Sequence, residues 1–229
     1  MKRNPGLGAA ALAAALAFAP AAPAAEDLYR NTWSANEMLG SVVRGERGED
    51  IGEVKDLIVA RDGTLAKVVV EVGGFLDIGD QHIGVPWRDV AIGPDMQWVR
   101  VPLEKARNGE YSLYGVTPRG ESVSAGHGAW RVRELIGDYA SLRDVPRYGM
   151  VSDVIFGADG KARGVVVSRP AGPWGRAGWY GYPYADYDGR DPAYALPYER
   201  EQVAGDATVG PGFDYLKLGE LSRFSGADQ

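Results

Sequence analysis

Apolar and polar side chains alternate with a period of two along Gly52–Ala60, with Val54, Asp56 and Ile58 on one face and Lys55, Leu57 and Val59 on the other. The pair Asp62-Gly63 follows, a hairpin turn signal because glycine accepts positive φ without a steric penalty. Beyond it Leu65–Val72 resumes the alternation, placing Val68, Val70 and Val72 together and Lys67, Val69 and Glu71 opposite them. Two strands joined by a tight turn are predicted, and the pattern then recurs. Glu37–Val70 aligns with Glu134–Val167 at a constant offset of 97 without a gap, and 11 of the 34 pairs are identical. The matches include Gly40 with Gly137, Asp56 with Asp153, Asp62 with Asp159 and Gly63 with Gly160. A repeat of this length signals two copies of one folding unit.

Each copy opens with a short predicted helical turn. Ser34-Ala35-Asn36-Glu37 fits a capping box, whereas the second copy has Arg131 in place of Ser34 and a weaker cap. Gly40 and Gly137 sit where a left-handed residue ends a helix. Further strands are expected at Ile83–Val85, leading into Pro86-Trp87, and at Gln97–Val101. Short strands, many glycines and little helix predict a mainly β fold: two small antiparallel β-barrels in tandem. The expected boundaries are 31–103 for the first unit, 104–129 for a polar, Gly-rich linker, 130–221 for the second unit and 222–229 for a frayed tail.

Residues 1–24 read as an export signal. Lys2 and Arg3 precede the apolar stretch Ala9–Ala19, and Ala22-Pro23-Ala24 provides small residues for cleavage after Ala24. The expected location is the periplasm, with no transmembrane segment in the mature chain. Cleavage would leave 205 residues (229 minus 24), and losing Lys2 and Arg3 would take the formal charge from −6 to −8. An acidic exported chain is a poor match for the phosphate backbone, so nucleic acid is not an expected partner. With 0 cysteines there is no disulfide staple, and each unit must be held by packing alone.

The chain resembles the PRC-barrel family. The resemblance rests on EMLG at 37–40 and ELIG at 134–137, on G-E-V-K-D-L-I-V-x-x-D-G at 52–63, on V-V-V-E-V-G-G-F-L-x-I-G at 68–79 and on V-P-W-R-D-V at 85–90. The second copy keeps G-M-V-S-D-V-I-F-x-x-D-G at 149–160 but lacks the G-G-F-L-x-I-G segment. The resemblance implies a barrel of about six strands and an adaptor or assembly role, with no shared catalytic residues.

Candidate chemistry is sparse. Asp56 and Asp153 hold equivalent positions on an apolar face, and the expectation is a pair of buried structural acids accepting backbone N–H bonds. Asp62, Gly63, Asp159 and Gly160 are assigned to turns. His82 and His127 are the 2 histidines and are not equivalent, so no metal site is expected. Neither a Gly-x-Ser-x-Gly elbow nor a phosphate-binding loop occurs, so no enzyme activity and no cofactor are expected. Asp186, Asp188 and Asp191 faintly resemble a calcium loop but lack its full ligand spacing.

Matching Pro86 to Pro197 leaves 11 residues after Gly74 in the first copy but 25 after Ala171 in the second. The surplus, 172–196, reads as an aromatic insertion carrying Trp174, Trp179, Tyr180, Tyr182 and Tyr184. Exposed tyrosine and tryptophan suit a binding surface, so these five are the candidate partner contacts. The expected function is a non-catalytic exported adaptor binding an envelope protein. The alternative is a small-ligand or glycan binder using the same aromatics.

Overall fold

The computed structural model describes residues 32–72, 81–93, 97–103, 116–117, 128–172, 175–187, 189 and 193–203. Expectations for 1–24, His127, Trp174, Asp188, Asp191, most of 104–129 and the tail fall outside these residues. The fold is mainly β. In the first unit β1 (Thr32–Ser34) leads into a short helix α1 (Ala35–Met38). The strands β2 (Val42–Arg44), β3 (Asp50–Val59), β4 (Leu65–Val72) and β5 (Gln81–Pro86) follow, and then β6 (Ala91–Ile92) and β7 (Trp98–Arg100). After β8 (Val116–Thr117) the second unit runs β9 (Trp130–Arg131), α2 (Val132–Leu135), β10 (Tyr139–Ser141), β11 (Gly149–Gly157) and β12 (Ala162–Arg169). It ends with β13 (Gly178–Pro183), β14 (Tyr194–Ala195) and α3 (Arg200–Val203).

The repeat holds at the level of hydrogen-bond register. Val54 faces Val70, Asp56 faces Val69 and Leu57 faces Val68, while Val151 faces Val167, Asp153 faces Val166 and Val154 faces Val165. Both hairpins carry the same bulge, between Val54 and Asp56 and between Val151 and Asp153. That bulge corrects the simple alternation expected for β3. One extra residue breaks the period of two, so Val54, Leu57 and Val59 join the main core while Ile58 packs with Val69 in a separate small cluster. Gly63 (φ 78°) and Gly160 (φ 76°) occupy the turns, where Asp62 and Asp159 accept the amides of Thr64 and Lys161.

Two features depart from self-closed, tethered barrels. The sheet paths, β6-β7-β2-β3-β4-β5-β8 and β13-β12-β11-β10-β14, do not close among the described residues, and each includes one parallel pair. More consequentially, the units exchange their first strands. β1 pairs with β11 of the second unit (Trp33 opposite Phe156), and β9 pairs with β3 of the first (Trp130 opposite Val59). The hairpin turns meet as well: the Leu65 amide donates to Gly160 O and the Ala162 amide to Gly63 O, each at 2.8 Å. As a result Trp33, Val68, Phe156, Val165 and Trp130 belong to one continuous core. Within the expected linker, β8 adds to the edge of β5, with Val116 opposite Ile83.

Candidate functional site

Asp56 and Asp153 are 4% and 1% exposed, and they sit at the strand exchange. Each caps the helix of the other unit. Asp153 Oδ1 accepts the amides of Asn36 (3.1 Å) and Val154 (2.7 Å), and its Oδ2 is bonded to Ser34 Oγ. Asp56 repeats this arrangement with Arg133 N (3.1 Å), Leu57 N (2.8 Å) and, in place of the serine, Arg131 Nη1 at 3.0 Å. Burial pushes the Asp153 carboxyl up to about 6, against the pull of its hydrogen bonds from Ser34, Asn36 and Val154. This geometry joins the two units. Among the described residues, no group of three or more His, Asp or Glu side chains converges as a metal site.

The aromatic insertion requires correction. β13 lies on β12 in the register that β5 takes on β4: Gly164 faces Pro183 as Lys67 faces Pro86, and Val165 faces Tyr182 as Val68 faces Val85. Pro183, not Pro197, is therefore the counterpart of Pro86, and 11 residues separate it from Ala171, as 11 separate Pro86 from Gly74. The offset of 97 runs on through Gly84/Gly181 and Pro86/Pro183, a signal the sequence carried. Because β13 is a paired strand, its side chains alternate. Tyr180 and Tyr182 point inward and are buried. Tyr184 is half-buried, stacked 6.3 Å from Trp130 and seated against Gly63. These three are packing residues; of the candidate contacts described, only Trp179 is exposed, at 65%.

Trp179 ends a row that only the sheet reveals. Tyr139 faces Met150, Met150 faces Ser168, and Ser168 faces Trp179, so four adjacent strands contribute one residue each. Tyr139 and Met150 are 42% and 46% exposed, and the Arg147 guanidinium lies 4.7 Å from the centre of the Tyr139 ring. The same row in the first unit reads Val42, Glu53, Glu71 and His82. There Lys55 bonds both Glu53 and Glu71 (2.9 Å to Glu71), and His82 Nε2 lies 2.8 Å from Glu71 Oε2. Burial alone would push Glu71 up, but the Lys55 and His82 hydrogen bonds hold it below the usual carboxylate range. One fold thus presents a charged, self-neutralising row on one unit and a mostly apolar row on the other. Tyr139 and Met150 escaped notice in the sequence because each is a lone apolar residue at an outward strand position.

A comparison with curated proteins finds no match. Residues 31–104 match the family model of the PRC-barrel domain.

Proposed function

We propose that this protein is a non-catalytic adaptor, exported to the periplasm, whose second unit docks an envelope protein on the outer row of Tyr139, Met150, Ser168 and Trp179. PRC-barrel domains are small β modules that often serve in protein–protein interactions, which supports the adaptor class. The observation that carries the reading is the row itself. Three large apolar side chains, Tyr139, Met150 and Trp179, stand exposed in register, where the first unit has Val42, Glu53 and His82. Folding does not require them there, and clustered exposed aromatics with an adjacent arginine are the composition of interface hot spots. Affinity capture from envelope extract tests it. The Trp179→Ala/Met150→Ala variant should retain the fold by circular dichroism and lose the captured protein by at least about tenfold, since a hot-spot residue is worth roughly 2 kcal/mol. Undiminished capture would reject the row as the contact.

A second reading follows from Trp179 alone, because an exposed indole can stack on a sugar ring. Titration with peptidoglycan fragments should then quench or shift tryptophan emission in the wild type but not in Trp179→Phe. An equal response in both proteins would exclude stacking on that ring.

A further inference from the structure

The inner faces of the two units also differ, and the difference is chemical. In the first unit, Ile51, Val72, Ile83 and Val85 line the interior and are all buried. At the same offset of 97 the second unit places Tyr148, Arg169, Tyr180 and Tyr182, also buried. An aliphatic interior has become a cage of three tyrosines around a guanidinium that is 4% exposed.

No carboxylate forms an ion pair with Arg169 among the described residues. Its Cζ lies 3.9 Å from the centre of the Tyr180 ring, a cation–π contact, and Nη1 donates to Tyr148 Oη at 2.9 Å. Tyr148 Oη is in turn 2.6 Å from Tyr182 Oη. On the other side of the guanidinium, Nε is fully buried and has no hydrogen-bond partner. Beside it, Nη2 lies so close beneath Gly175 that a Cβ on that glycine would come within 2.8 Å. Arg169 ends β12, and its register partner Gly178 begins β13, so this side faces the hairpin end of the sheet beneath the paired Gly172 and Gly175.

A buried cation without an anion is strongly unfavourable, and neutral phenols offset only part of that penalty. Val72 shows that this fold accepts an apolar residue at the same position, so packing does not explain the arginine. The Nε–H and Nη2–H bonds of an arginine run parallel and match the two oxygens of a carboxylate. We infer that the interior of the second unit is a receptor for a small free carboxylate, held side-on by Nε and Nη2 of Arg169 with Tyr148 and Tyr180 orienting the guanidinium. The site is separate from the outer row, so either can fail without the other.

The test replaces chloride by acetate at constant ionic strength, using the mature chain. In the 15N-labelled protein the Arg169 Nε–H resonance should move downfield and saturate in the millimolar range expected for a single bidentate contact. The thermal midpoint should rise with it, because a ligand that binds only the folded state stabilises that state. Arg169→Val, which installs the first unit's residue, should melt higher than wild type without acetate and should not respond to acetate. If that variant does not fold, the wild-type resonance still decides. No saturable shift of Nε–H, an equal midpoint rise in Arg169→Val, or a response to sulfate alone would each overturn the assignment.

Discussion

Asparagine in place of Asp153 should be tolerated, while the same change at Asp56 should be damaging, although the two positions are equivalent. In both, asparagine Oδ1 can keep accepting the two amides, Asn36 and Val154 for Asp153 and Arg133 and Leu57 for Asp56. The outcome turns on the second atom. At position 153 the new Nδ2 would face Ser34 Oγ, a hydroxyl that can accept. At position 56 it would face Arg131 Nη1, donor against donor. Asp56→Asn should therefore lose about 3 kcal/mol, the low end for breaking a buried pair, because Arg131 keeps Glu134 at 3.8 Å. For Asp153, burial raises the folded value to about 6 from 3.8. The folded state thus binds the proton more tightly than the unfolded state does. Wild type should gain stability as pH falls from 6 towards 4, and above 6 the buried charge should weigh against folding by roughly 3 kcal/mol. Asp153→Asn removes that charge, so it should match or exceed wild type at pH 7 and lose its advantage near pH 4. Urea unfolding followed by tryptophan fluorescence at both pH values measures this, and the difference between variant and wild type cancels the other carboxylates. Equal losses in the two variants, or a pH-independent difference at position 153, would refute the reasoning.

A fragment ending near residue 104 should not be a folded monomer, because among the described residues β1 pairs only with β11, and Trp33 stacks on Phe156 at 4.8 Å. Size-exclusion chromatography with light scattering should show an unfolded chain or a dimer with exchanged strands, and a stable folded monomer would contradict the exchange. Gly40→Ala should lose about 1 kcal/mol, since φ is 85° but nothing lies within 4 Å of the added Cβ. Gly160→Ala should lose clearly more by urea denaturation, since its Cβ would come within 2.4 Å of Trp87 Nε1. Glu71→Gln removes a partner from Lys55 and His82 but lies at the surface, so thermal melts should show a loss of no more than about 1 kcal/mol.

The PRC-barrel match of residues 31–104, the mainly β class, the hairpins and the repeat were legible because each rests on local pattern. Asp62-Gly63 and Asp159-Gly160 demand left-handed turns, period-two alternation demands strands, and a constant offset of 97 demands equivalent positions. Burial of Asp56 and Asp153 could also be expected from the apolar faces they share. Local pattern does not say which neighbour a strand finds. Trp33 and Trp130 look alike in the sequence whether each completes its own unit or the other one, and only the pairing of β1 with β11 and β9 with β3 decides. The same long-range pairing turns Trp179 outward and Tyr180 and Tyr182 inward, making one exposed row and one buried cage from a segment that reads as a uniform aromatic run. Side-chain direction along a strand is set by hydrogen-bond register, and register is a property of two strands together, so the tertiary structure had to supply it.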